Sequence, residues 1–191
     1  MSRPRSLDKR QAIFDATLKL IAECGLSGIR TSAISKTASI AEGTLFTYFK
    51  TKEDLVRALY VDLKHEMVDV LVSRLPHHAS TREQIRYLWN AYIDWGIRWP
   101  EKRRAIEQLQ IATEITPELR AQASAPLADI EHLIKDGIEH GLLREYPVNY
   151  MGAALVALAE TTMNFMLDDA DQALRYREMG FEMLWQGIAT S

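Results

Sequence analysis

Hydroxyl, aromatic and cationic side chains crowd one stretch of this chain, Thr44-Leu45-Phe46-Thr47-Tyr48-Phe49-Lys50, with Gly43 before it and Lys52 just after. Threonine and tyrosine hydroxyls bond base edges or phosphate oxygens, and an aromatic ring or a threonine methyl packs on a thymine methyl. Lysine binds phosphate as a point charge. A glycine lets backbone approach phosphate closely, because no side chain clashes. The chemistry on offer is that of reading a nucleic-acid duplex. Taken singly, Lys50 and Lys52 would be ordinary surface charges and Tyr48 half-buried packing; the joint placement carries the reading.

The elements that must position these groups are helical. Thr31 is spaced to cap a short helix running to Ala38. A four-residue break follows, then a second short helix through Thr44, Leu45 and Phe49. Ile34, Ala38, Ile40, Leu45 and Phe49 are spaced to pack inward, which leaves Thr44, Phe46, Thr47 and Tyr48 outward. A short helix of this kind, after a tight turn, is shaped to enter a major groove. Lys52 also opens the next long helix, whose N-terminal dipole favours an anion. Charge follows the same division. The net charge is −3, but residues 1–52 hold nine Lys/Arg against four Asp/Glu, +5, and the remainder holds fourteen against twenty-two, −8. A basic head on an acidic body fits DNA binding by the head.

The rest of the chain reads as helix. Residues 8–24 place Ile13, Thr17, Leu20, Ile21 and Cys24 on one face, and Gly25 supplies a stop. Residues 52–75 carry Leu55, Leu59, Leu63 and Met67 at every fourth position before Pro76. Ser80-Thr81-Arg82-Glu83 is a capping box for a helix ending at Pro100. A helix over 101–113 follows. Thr116-Pro117 starts another reaching His140, with Pro126 kinking or splitting it. Pro147 opens an apolar helix to about Leu167, and Asp169 or Asp171 caps a last helix ending near Ala189. No run of β-branched residues alternates like a strand. The fold class expected is all-α: a three-helix head over residues 1–52, a linking helix over 52–75, and a helical bundle within 53–191 that dimerises.

Gly43-Thr44-Leu45-Phe46-Thr47-Tyr48-Phe49 and Lys52-Glu53-Asp54-Leu55 resemble the DNA-binding domain of TetR-family regulators. The resemblance implies that Thr44, Phe46 and Thr47 face bases. It implies that Thr31, Ser32, Tyr48 and Lys52 hold phosphates, with Lys36 near the same backbone. The chain departs from the family pattern at three positions. Ser39 stands where a turn glycine is usual, so a positive φ there would be strained. Ala41 replaces a capping Ser or Thr, a loss of ~1 kcal/mol. Phe46 replaces a tyrosine and lacks its hydroxyl. Glu42 is read as complementing the helix dipole with its head in solvent.

Trp89-Asn90-Ala91-Tyr92-Ile93-Asp94-Trp95-Gly96, Arg104-Ala105-Ile106 and Leu158-Ala159-Glu160-Thr161-Thr162-Met163 resemble the RamR-like subgroup of multidrug-efflux regulators. That resemblance implies control of efflux genes and a pocket for bulky, often cationic, apolar compounds. Trp89, Tyr92, Trp95 and Trp99 form an aromatic stripe at helical spacing, which serves core packing or a ligand pocket. Trp89 and Tyr92 are the preferred ligand contacts, with Tyr60, Lys64 and Met67 from the long helix and apolar walls from Ile106, Leu155, Ala159 and Met163. Glu160 and Asp94 would pair with a cationic ligand, aided by cation–π attraction. Leu174, Phe181 and Ile188 repeat every seven residues, with Met183, Leu184 and Trp185 alongside. Together with Met151 on the preceding apolar helix they form the expected dimer face, a four-helix bundle about a twofold axis. Such a pair presents two recognition helices to a palindrome with half-sites ~34 Å apart.

The composition, 47% hydrophobic and 26% charged with one cysteine, excludes a disordered chain and an internal disulfide framework. The N-terminus lacks a signal-peptide h-region, and the longest apolar run, Tyr150–Ala159, is too short to span a bilayer. A cytoplasmic protein with no membrane partner is expected. No phosphate loop, nucleophile elbow or Cys/His cluster is present, so no enzyme activity, cofactor or metal is expected. Two alternatives stay open: a regulator that senses a fatty-acyl or other metabolite, and, remotely, a di-metal bundle enzyme using Asp62/His65 and Asp129/His132. The partners expected are operator DNA, a small-molecule inducer and a second copy of the chain.

Overall fold

A computed structural model describes residues 4–190, which form ten α-helices with no strand among them. They are α1 (Pro4–Gly28), α2 (Thr31–Thr37), α3 (Glu42–Tyr48), α4 (Lys52–Val72), α5 (Thr81–Arg98), α6 (Pro100–Gln110), α7 (Pro117–Ser124), α8 (Ala128–Glu139), α9 (Val148–Asp168) and α10 (Ala173–Ile188). The chain divides into two compact units that interleave: Met1–His65 with Trp99–Ser124, and Glu66–Arg98 with Ala125–Ser191. This differs from a linear division at residue 52. The continuous α4 runs through the boundary, and α6 packs on α1 and so joins the first unit.

The predicted punctuation operates locally. Ser80 N–H donates to Glu83 Oε2 at 2.9 Å and Glu83 N–H to Ser80 Oγ at 3.3 Å, a closed capping box. Thr116 Oγ1 accepts from Leu119 N–H at 3.3 Å, just ahead of Pro117. A 3₁₀ turn over Ala125–Leu127 separates α7 from α8 where Pro126 removes a donor. Two caps differ from expectation. Thr31 is the first helical residue of α2 and caps nothing, and the start of α10, after a 3₁₀ turn over Ala170–Gln172, has no side-chain cap from Asp169 or Asp171.

In the first unit, Ile13, Phe14, Ile21, Ile34, Leu45, Leu55 and Leu59 are all at most 1% exposed, and the Phe14 and Phe49 rings stack at 5.6 Å. Gly25 takes φ 72°, ψ 163° inside α1. The break frees the amide of Leu26, which donates to Gln108 Oε1 of α6 at 2.9 Å. Helix α1 resumes to Gly28, so Gly25 kinks it instead of ending it. Cys24, expected on the core-facing stripe, is exposed, with its thiol on the Leu20 carbonyl.

In the second unit the core comprises Ile85, Trp89, Ile93, Ala159, Met163 and Phe181. The approach of α10 to α5 and α9 depends on Gly180, where a side chain would collide with Thr162 and Trp89. The residues expected at the dimer face divide between core and surface. Met151, Phe181, Leu184 and Ile188 are buried within the single chain, and Trp185 is half-buried, stacked on Phe181. Leu174 alone of the heptad positions points outward, with Met179 and Met183. The outer edge of α10 and the core edge of α10 are different stripes. A seven-residue repeat drifts ~20° per heptad on a straight helix, so it mixes the two.

Candidate nucleic-acid interface

Helix α2 buries Ile34 and Ser35, and α3 buries Leu45. Between them Ser39 holds φ 55°, the left-handed conformation that a glycine would adopt without strain. Ala41 is the N-cap of α3 and gives it no side-chain hydrogen bond. Compensation comes from elsewhere. Thr31 Oγ1 donates to Glu42 Oε1 at 3.2 Å, so the Glu42 head is tied to α2 and not free in solvent. Thr31, expected on phosphate, holds the two short helices together in this state. Lys52 differs in the same way: its Nζ donates to the Ile29 carbonyl at 2.8 Å, which fastens the start of α4 to the loop before α2. The Thr31 bond thus holds α3 against α2, and the Lys52 bond holds α4 against the segment before α2.

On the outer side of α3, Gly43, Phe46 and Thr47 are exposed, and Thr44 and Tyr48 are half-buried. Phe46 leaves 43% of its surface in solvent, a large apolar ring standing out from a small helix. Thr47 Oγ1 donates to the Gly43 carbonyl at 3.0 Å, which fixes its rotamer and turns oxygen lone pairs and methyl outward. A Cβ built on Gly43 meets nothing within 4 Å, so the fold itself does not require glycine there. Ser32, Lys36 and Lys50 are exposed around this surface. The structure thus brings Gly43, Thr44, Phe46, Thr47 and Tyr48 together on one helix, with Ser32 and Lys36 exposed on α2 and Lys50 exposed just after α3. This surface offers apolar and hydroxyl groups toward bases and cations toward phosphates.

The expected ligand residues divide between the units. Tyr60, Lys64 and Ile106 belong to the first; Met67, Trp89, Tyr92, Leu155, Ala159 and Met163 belong to the second. Trp89 is fully buried, and its Nε1 donates to the Arg177 carbonyl at 3.1 Å. It is a core residue held by α10. Ala159 and Met163 are equally enclosed, and Leu155 is half-buried. Tyr92 Oη donates to Glu160 Oε1 at 2.7 Å, and Arg177 binds Asp94 at 2.6 Å. Both carboxylates proposed to meet a cation are therefore engaged by the protein. In the first unit, burial raises the Tyr60 phenol's pKa, opposed by the nearby Arg120 charge, and burial lowers that of the Lys64 ammonium. Ile106 is 7% exposed.

Sequence reasoning missed three contacts of the first unit: Arg10 with Asp62 at 3.1 Å, Gln108 with Leu26, and Arg57 Nε with the Glu114 carbonyl at 3.2 Å. No local pattern signals pairings so distant in sequence. Asp62, once weighed as a metal ligand, is the acid of the first pair. Among the described residues no three His, Cys, Asp or Glu side chains gather as a metal site, and no helix is long and apolar enough to cross a membrane.

A helix-turn-helix in one helical unit and a wholly helical second unit define a class, the DNA-binding transcription regulators. Comparison with known proteins narrows it. Residues 13–59 match the family described as bacterial regulatory proteins, tetR family. A TetR family transcription regulator from Shewanella sp. PV-4 has a crystal structure that superposes with a TM-score of 0.87 at 26% identity, over 96% of this chain and 99% of that one. The fatty acid metabolism regulator protein of Bacillus subtilis (strain 168) is 23% identical over 140 residues, 72% of each protein. The fold is also that of the regulator FadR from Bacillus subtilis, solved in complex with stearoyl-CoA, with a TM-score of 0.72 at 19% identity over 93% and 98% of the two chains. The chain is similar to TetR-family transcriptional regulators, most specifically over residues 13–59, and the relatives named here are regulators, not enzymes.

Proposed function

We propose that this regulator is a cytoplasmic, ligand-responsive repressor that binds an inverted-repeat operator as a homodimer and is released by a bulky apolar small molecule. The observation that carries the DNA part is the outward face of α3, where Gly43, Phe46 and Thr47 stand exposed on a helix tied to α2 by the Thr31–Glu42 bond. For the second copy, the solvent-facing apolar side chains Phe165, Met179, Met183 and Leu174, between 46% and 79% exposed, supply the contact surface. A ligand that prefers a conformation with the two heads wrongly spaced shifts the population off DNA; a tenfold release needs ~1.4 kcal/mol of coupling.

The inducer class separates two versions. Efflux control follows from a cationic drug, metabolic control from an acyl-type metabolite. Asp94 is paired with Arg177, and Glu160 accepts from Tyr92, so a cationic ligand would have to compete with an ion pair at Asp94. The likeness to a fatty acid metabolism regulator points the same way. We favour the acyl-type metabolite.

Selection of bound sequences from random duplex DNA tests the reading. An inverted repeat should emerge, its affinity should fall steeply with salt, and Thr47→Ala with Tyr48→Ala should abolish the preference. A double variant that binds the selected repeat as wild type does would overturn it.

A further inference from the structure

We infer that Glu42, at the start of α3, is a specificity-determining residue that accepts a hydrogen bond from the N4 amino group of a cytosine in each operator half-site. This rests on the DNA-binding reading above and names one base that the recognition surface selects.

Glu42 is the first residue of α3 and is exposed. Phe46, itself 43% exposed, follows one turn later, so the carboxylate and the ring share one side of the helix. Ala41 and Gly43 put nothing larger than a methyl group on either side of it. In a helix-turn-helix the N-terminal residues of the second helix are those that reach base edges. A carboxylate at that place discriminates. Phosphates repel it, and so do the N7 and O6 acceptors of guanine and the O4 acceptor of thymine. The major groove holds two donors, N4 of cytosine and N6 of adenine. Adenine sets its N7 acceptor beside the donor, and an ionised carboxylate, an acceptor only, cannot satisfy both. Cytosine presents its donor without an acceptor on the same base edge.

The carboxylate is also held in place. Thr31 Oγ1 of α2 donates to Glu42 Oε1 at 3.2 Å. Among the described residues this is the one hydrogen bond of the Glu42 carboxylate, and no ion pair neutralises it. Oε2 is left to accept from outside the chain. An acceptor positioned in advance loses less side-chain entropy on binding than a free glutamate would. Thr31 is thus a positioning residue for the base contact.

The test repeats selection from random duplex DNA with wild type, Glu42→Gln and Glu42→Ala, and measures operator affinity of the full-length protein by fluorescence anisotropy. The wild-type repeat should carry a cytosine at one symmetric position, and any other base there should weaken binding by at least ~fivefold per half-site. Glu42→Gln should turn that position, and no other, to adenine, because a side-chain amide accepts from N6 and donates to N7. Glu42→Ala should leave the position without preference while the rest of the repeat is selected as before. Thr31→Val, which cannot donate, should narrow the cytosine preference, and Thr31→Ser should restore it. If an inverted repeat emerges and both Glu42 variants select the same bases as wild type, the cytosine inference falls while the DNA-binding reading stands. If no repeat emerges for wild type, both fall. A loss of affinity in Glu42→Ala that is equal for every base at every position would also overturn the inference, since it marks a purely structural role.

Discussion

Gly180→Ala pits helix propensity against packing at one atom. Replacing a glycine in a helix interior by alanine ordinarily stabilises by ~1 kcal/mol. At Gly180 the new Cβ would overlap Thr162 Oγ1 and lie 2.7 Å from Trp89 Cζ2 and 3.0 Å from its Cη2. Neither neighbour has room to yield. Trp89 is 0% exposed and tied through its indole N–H to the Arg177 carbonyl, and Thr162 is 6% exposed. Overpacking of a tight core costs ~1–3 kcal/mol, and this contact belongs at the upper end. The net expectation is a loss of about 1–2 kcal/mol after the propensity gain is subtracted. Urea unfolding followed by tryptophan fluorescence measures it as a lower midpoint at unchanged slope. Gly187→Ala in the same helix is the control: its Cβ meets nothing within 4 Å, so it should gain up to ~1 kcal/mol. A Gly180→Ala protein as stable as wild type would refute the claim that α10 is seated by direct contact at this glycine.

Three further outcomes are expected. Ser39→Gly relieves the left-handed strain at φ 55° and should raise the unfolding midpoint, by about 0.5–1 kcal/mol once glycine's larger unfolded-state entropy is counted. Gly43→Ala should leave stability equal or higher, because its Cβ has open space, yet weaken operator binding at least tenfold by meeting the DNA backbone; equal affinity in an anisotropy titration would show that α3 does not approach so closely. The Glu83 carboxyl is held below the usual range by its bonds to Ser80, so its contribution to stability is present above the ordinary glutamate pKa and is lost as pH falls through the lowered folded value. Unfolding midpoints of wild type and Glu83→Gln should therefore differ at neutral pH and converge in acid.

Local chemistry was legible in the residues. A closed capping box, a proline at N1 and a proline between helices act within a few residues, so Ser80–Glu83, Pro117 and Pro126 marked their boundaries. The buried series Leu55, Leu59, Leu63 and Met67 was equally plain, since one helix face is one period. What the spacing could not supply was which neighbour covers a face. Phe181 and Ile188 are apolar whether they meet α5 and α9 or a second copy, and Trp89 is aromatic whether it meets Gly180 or a ligand. Pairings such as Thr31 with Glu42 and Lys52 with Ile29 needed coordinates, because a hydroxyl or ammonium suited to phosphate is also suited to a carboxylate or a carbonyl. The motif at Gly43–Phe49 led to the family, while the likeness in the body did not reach the efflux subgroup, since helical aromatic spacing is shared by many cores.

The exposure of Cys24 has a practical corollary. Its thiol, that of the sole cysteine of the chain, lies on the surface of the unit that carries the helix-turn-helix. In the proposed homodimer, one maleimide spin label per subunit, with no prior mutagenesis, would make a symmetric pair of reporters. Dipolar spectroscopy on that pair would give the head-to-head separation with operator, with ligand and with neither, a ruler that the fold already carries.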